Sequence, residues 1–90
     1  MSIAVYFHPT GMTLTKFEEI HKRLADAGHA NPPGRLHHSA FGNDDELMVY
    51  DVWDSQESFD AFGAVLMPIL GDVGVDPGEP SVMPIVLMRQ

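Results

Sequence analysis

The sequence predicts an α+β fold: a four-stranded antiparallel sheet with two helices on one face, built as a single domain over residues 1–90. Three observations predict it. Short runs rich in β-branched and aromatic residues alternate with two stretches whose apolar residues recur at three- and four-residue steps, in the order β-α-β-β-α-β. Helix-start chemistry precedes each helical stretch. Clusters of Pro, Gly, Asn and Asp separate the remaining runs.

The elements follow in order. Ile3 to His8 is the first strand, ended by the turn-forming Pro9-Thr10-Gly11. Thr15-Lys16-Phe17-Glu18 has the form of a capping box, so the first helix is expected to begin there. Phe17, Ile20, Leu24 and Ala27 form its apolar stripe, and Gly28 stands where it should stop. Pro32-Pro33-Gly34 is too stiff and too poor in amide donors for a helix or central strand, so residues 29–34 read as a crossing loop. Arg35 to Phe41 and Leu47 to Trp53 then make an antiparallel hairpin about Gly42-Asn43-Asp44-Asp45. Asp54 or Ser55 caps the second helix, whose stripe is Phe59, Phe62, Leu66, Ile69 and Leu70. Pro68 lacks an amide and crowds the carbonyl of Ala64, so the helix is expected to kink or loosen there, with residues 71–80 as a loop. Val82 to Met88 is the last strand, and Pro84, unable to donate to a ladder, sets it at an edge or a bulge. The whole order is the ferredoxin-like one, in which right-handed crossovers place both helices on the same side of the sheet.

Strand side chains alternate sides, and here neither side reads as a water face. Ile3, Val5 and Phe7 oppose Ala4, Tyr6 and His8; Met48, Tyr50 and Val52 oppose Leu47, Val49, Asp51 and Trp53. The helices roof one face and the chain has no residues left for a third layer. A homodimer through the other sheet face is therefore expected.

Composition narrows the function classes. Hydrophobic residues at 44% with 20% charged describe an ordinary globular chain rather than a disordered one. No cysteine occurs, which removes disulfides, thiolate metal sites and cysteine nucleophiles together. Thirteen acidic against five basic residues give a net charge of −8, and protonating all five histidines would move it only to −3, so the field opposes phosphate backbones and no nucleic-acid partner is expected. Nothing approaches the ~20 apolar residues of a membrane span, and a cytoplasmic location without membrane partners is the expectation.

A strand ending in an acidic residue, one residue and Trp, running into Ser-x-Glu-x-Phe at a helix start, is present at Val49-Tyr50-Asp51-Val52-Trp53-Asp54-Ser55-Gln56-Glu57-Ser58-Phe59. With Gly34, Leu36 and His38 spaced as Gly-x-Leu-x-His, it resembles the dimeric α/β barrel superfamily, specifically the antibiotic biosynthesis monooxygenase-like proteins and their small bacterial members of unassigned function. The resemblance implies a dimer with two sheets facing each other, a small-molecule pocket in each half, and no cofactor. Some relatives of this kind oxidise aromatic, polyketide-like compounds without metal or flavin, holding a substrate that itself reacts with oxygen. Haem-degrading relatives carry Asn, Trp and His where this chain has Phe7 or His8, Phe62 and Asp72, so that activity is not expected.

Asp51 and Trp53 share a strand face, and under one hairpin register His38 shares it too, whereas a slip of one residue would substitute His37. A carboxylate beside an imidazole orients it as a general base, so His38 and Asp51 are the catalytic candidates. The same pair also reads as a structural hydrogen bond in the dimer seam. Trp53 is either core filling or a stacking wall for an aromatic ligand, and Tyr6 and His8 are candidate ligand contacts in the same cavity. No histidines or carboxylates have metal-ligand spacing, and no metal site is expected. Two function classes remain: a small-molecule-binding homodimer acting as a cofactor-independent monooxygenase or isomerase, or a non-catalytic dimerisation or ligand-sensing module.

Overall fold

The computed structural model describes residues 1–89 and orders them as β1 (Ile3–Phe7), α1 (Leu14–Asp26), β2 (Arg35–Asn43), β3 (Glu46–Trp53), α2 (Gln56–Val73) and β4 (Ser81–Pro84). The four strands form one antiparallel sheet in the order β2-β3-β1-β4, which is the ferredoxin-like topology the sequence predicts.

Ile3, Val5 and Phe7 of β1 pair with Trp53, Asp51 and Val49 of β3, so these six share the face that the helices cover. Ile20 and Leu24 of α1 and Phe62 and Leu70 of α2 close over them, with Phe17, Phe59, Leu66 and Ile69 at the margins. Val5 and Trp53 are fully buried at the centre of this core. Of the predicted α1 stripe only Ala27 falls outside, because it is the C-cap rather than part of the helix.

Both helix starts use hydroxyl caps. Ser55 Oγ accepts from the Ser58 amide at 3.1 Å. The first helix begins earlier than the capping-box pattern places it: Thr13, not Thr15, is the cap, its Oγ1 accepting from the Lys16 amide at 3.2 Å. Thr13 wins because the Leu14 amide is tied to the Asp44 carbonyl at 2.7 Å, which anchors the first turn to the β2–β3 connection and leaves Thr15 inside the helix. That connection is also tighter than expected. The ladder runs to Asn43 opposite Glu46, and the turn itself is only Asp44-Asp45.

Two differences lie in the second half. Helix α2 runs unbroken past Pro68 to Val73, where the sequence suggested loosening and then a loop. Pro68 and Ala64 are both exposed, so water can meet the carbonyl that the missing amide leaves free. The helix ends at Gly74, whose left-handed φ of 84° lets its own amide and that of Val75 both return to the Leu70 carbonyl. Strand β4 stops at Pro84 instead of reaching Met88. Pro84 lies opposite Ile3, the first residue of β1, so the partner strand has run out; a last bond from the Ile85 amide to the Ser2 carbonyl ends the pairing. The edge position expected from Pro84 is the one observed.

The start of β2 is held by contact with the start of α2. Gly34 sits at φ 88°, its carbonyl accepts from the Asp54 amide at 2.8 Å, and a Cβ there would lie 2.5 Å from Ser58 Oγ and 2.6 Å from Asp54 Oδ1. Only glycine fits. Immediately after it, β2 carries one extra residue: Arg35 pairs with Trp53 and His37 with Val52, so Leu36 has no partner and is pushed outward.

The face away from the helices bears Ala4, Tyr6, Met48, Tyr50, Val52, His37, Ser39, Phe41, Ser81 and Met83. The face is unevenly exposed: Val52 is buried at 3%, whereas Phe41 and Met83 remain 45% and 64% exposed.

Candidate active site

The register of the β2–β3 hairpin decides which histidine enters the interior. His38 lies opposite Asp51, so of the two alternatives left by the sequence it is His38 that faces the helices, while His37 stands exposed on the open face. His38 Nδ1 and Asp51 Oδ1 are 2.5 Å apart. Asp51 is the one buried charged residue among those described, with 4% of its surface exposed. An isolated carboxylate would be costly there, and the imidazole N–H supplies its compensation.

Helix α1 adds a residue that the sequence analysis did not single out. His21 lies one turn beyond Phe17, on the flank of the apolar stripe, and is carried down against the sheet. Its Nε2 is 2.8 Å from His38 Nε2, and its Nδ1 is 3.0 Å from the Phe17 carbonyl oxygen. The two imidazoles lie 4.9 Å apart with Phe17 beside both. Its i+4 spacing from Phe17 was the available signal: a histidine bordering an apolar stripe is delivered to whatever the stripe covers. Burial lowers the His21 pKa below the ordinary histidine value, the His38 and Arg35 charges adding to this and the Phe17 carbonyl and Asp51 opposing it.

Arg35 is the fourth polar member. The β2 bulge turns it to the helix side, where its guanidinium sits 5.8 Å from the centre of the Phe62 ring and donates to the Ala30 carbonyl at 3.3 Å. Burial lowers its pKa and the Asp51 charge opposes that, without bringing an arginine near neutrality.

These four groups line a cleft between the sheet and both helices, walled elsewhere by Phe7, Met12, Phe17, Ile20, Leu24, Phe62, Leu66 and Leu70. Its free interior is about 50 Å³, room for a few water molecules. Such an arrangement suits proton transfer: one carboxylate, two imidazoles and a fixed positive charge at one end of an otherwise apolar space.

The other expected site residues fall elsewhere. Trp53 shares the face of Asp51 but is wholly buried under Phe59 and Phe62, and Phe62 takes the cleft-lining position. Its indole N–H has no hydrogen-bond partner among the described residues. Tyr6 and His8 do not line this cleft. Tyr6 points to the open face, its ring 6.2 Å from Phe41, because strand alternation sends it opposite to Val5 and Phe7. His8 follows β1 at the surface, where Nε2 meets Glu46 Oε1 at 2.8 Å with both side chains more than half exposed. Among the described residues no three histidines or carboxylates are grouped to hold a metal ion, and no helix is long and apolar enough to cross a membrane.

No protein-family model and no curated protein matches the chain. Solved structures do. SnoaB, a cofactor-independent oxygenase from Streptomyces nogalater, is similar over 97% of this chain and 93% of its own, at 19% identity and a TM-score of 0.63. A candidate antibiotic biosynthesis monooxygenase from Chloroflexus aurantiacus aligns with 100% of this chain and 98% of its own, at 15% identity and a TM-score of 0.67. Another such candidate, from Caulobacter crescentus, covers 98% and 91% at 18% identity and a TM-score of 0.58. The chain therefore has the fold of the antibiotic biosynthesis monooxygenase-like proteins, which is the one its strand-to-helix junction resembles.

Proposed function

We propose that the chain is a small-molecule-binding homodimer whose cleft removes a proton from an aromatic or polyketide-like compound, in a cofactor-independent oxygenation or an isomerisation. The observation that carries this is the His38–Asp51 hydrogen bond at the floor of an apolar cleft. The carboxylate fixes the His38 tautomer and ring, leaving Nε2 as the atom that takes the proton. Arg35 offers a nearby positive charge to the anion that results. A cofactor-independent oxygenase with the same fold is consistent with such chemistry, because a deprotonated electron-rich substrate can itself react with oxygen.

The open sheet face is assigned to the dimer. Tyr6, Tyr50, Phe41 and Met83 lie on it, the two tyrosines half-buried and Phe41 and Met83 45% and 64% exposed. If each copy hides about 800 Å², somewhat over half of it apolar, burial at about 25 cal/mol/Å² gives roughly 20 kcal/mol gross for the pair before association costs. In this arrangement Tyr6 belongs to the seam and the His38–Asp51 pair does not.

Two variants test the reading. His38→Ala should abolish turnover or weaken binding of aromatic ligands while sedimentation still shows two copies. Phe41→Glu should give a folded single copy. A second reading, the non-catalytic dimerisation or ligand-sensing module, is favoured by the small interior: a ring-sized ligand enters only if the walls yield. Under that reading the wild-type protein turns over no such compound, and His38→Ala has no catalysis to abolish.

A further inference from the structure

We propose that His21 and His38 together form a two-imidazole receptor for an ionisable hydroxyl, an enol or a phenol, whose oxygen takes the place between the two Nε2 atoms. This rests on the cleft being a ligand site, as argued above, and it names both the second residue that touches the substrate and the functional group that residue selects.

The argument is a count of hydrogens. Three contacts run in series: Asp51 Oδ1 to His38 Nδ1, His38 Nε2 to His21 Nε2, and His21 Nδ1 to the Phe17 carbonyl oxygen, at 2.5, 2.8 and 3.0 Å. Each needs one hydrogen. The carbonyl can only accept, so His21 Nδ1 donates to it. Two neutral rings carry two hydrogens, and the series therefore holds a third, which balances the Asp51 carboxylate and makes the string neutral as a whole. With a hydrogen fixed at each end, one remains between the two Nε2 atoms. Once the rings part, that gap offers one N–H and one lone pair.

A hydroxyl oxygen satisfies both at once, donating its hydrogen to one ring and accepting from the other. A carboxylate has no hydrogen to give, a ketone none, and an ammonium no lone pair, so each leaves one ring unpaired at a buried site. Insertion of an oxygen widens the Nε2 separation from 2.8 Å to about 5 Å. In the transfer step the substrate O–H bond breaks, an N–H bond forms at the free Nε2, and the oxyanion then accepts from both rings. No oxidant is consumed. The other charged or titratable groups facing the rings are Asp51 from β3 and Arg35 from β2; the cleft residues of α2 are Phe62, Leu66 and Leu70, which carry no charge. Arg35 thus adds to the stabilisation of the oxyanion, and the apolar walls hold the rest of the molecule.

The experiment titrates the purified protein with para-nitrophenol, whose colour reports ionisation, beside para-nitroanisole, in which a methyl replaces the hydroxyl hydrogen. The phenol should bind at least about tenfold more tightly than the ether, the difference one charge-assisted hydrogen bond makes. Its colour change on the protein should move to lower pH by about one unit. His21→Gln should erase the colour shift and most of the selectivity, and so should His38→Gln. Because either variant could disturb folding, nitrogen NMR of the wild-type imidazoles provides an independent reading: both Nε2 signals should move on adding the phenol and neither on adding the ether. Equal binding of the two probes, with no colour shift, overturns the receptor and leaves the cleft as a ligand site. A shift that survives in a folded His21→Gln protein returns the role to His38 alone and also overturns it. If neither probe binds, the ligand-site reading and this inference fall together.

Discussion

The two faces of the sheet are built from the same strands and have opposite characters. Under the helices lie the fully buried Val5 and Trp53, together with the ionisable string of Asp51, His38 and His21. On the other side Tyr6, Tyr50, Phe41 and Met83 are apolar or aromatic, and Phe41 and Met83 stand in the open. Strand alternation alone divides them: Asp51 goes one way and Tyr50 and Val52 the other. The contrast teaches that burial and polarity are assigned here by separate demands. Charge is placed where water is scarce and an imidazole pairs it, while exposed apolar side chains such as Phe41 and Met83 face the other way.

The comparison can be broken most severely from the helix side. Trp53→Ala should cost about 3–5 kcal/mol, measured as a lowered urea midpoint, since the core would be left with a large hole. Trp53→Phe should cost much less, because removing the unpartnered indole N–H offsets part of the lost packing. If both variants lose equally, the indole N–H has a partner in solution.

A smaller effect comes from pH. Burial keeps the folded His21 pKa below the ordinary value of 6.5, so the unfolded chain takes up this proton more readily. The contribution of His21 to stability is therefore complete above about pH 6.5 and is lost as the pH falls through the lower folded value. Urea midpoints at about pH 7.5 and about pH 5 should differ less for His21→Gln than for the wild type. An unchanged slope would remove His21 from the buried string.

The smallest effect belongs to the open face. Met83→Thr should change the stability of a separate chain by no more than about 0.5 kcal/mol when melted at a dilution where copies stay apart. A larger loss would mean that this surface supports the single chain, and the contrast between the faces would fail.

Much of this was legible beforehand. The order of elements and both apolar stripes, apart from Ala27, follow from local chemistry and the structure has them; it also selects Ser55 over Asp54 as the cap and the edge over a bulge for Pro84. The Thr13 cap was not legible, because its advantage comes from a bond between Leu14 and Asp44, residues thirty positions apart in sequence. The early end of β4 was hidden for a similar reason: it is set by where β1 begins. In the site, the His38–Asp51 alignment stood as one of two registers, and only the actual hairpin selects it. His21 escaped because a helix reveals which of its sides is apolar but not the particular strand position it will cross.

The unpaired Leu36 carries one more lesson. Arg35 reaches the cleft because of how many residues precede His38, not because of any side-chain preference at that point. A relative lacking the inserted position would pair straight through and still keep the guanidinium inside, whereas one with an ordinary strand of the same length would turn it out to solvent. Gap placement between Gly34 and His38 is therefore a more telling marker than residue identity when related chains are aligned. Shortening by one residue there is the length change the ladder is built to absorb.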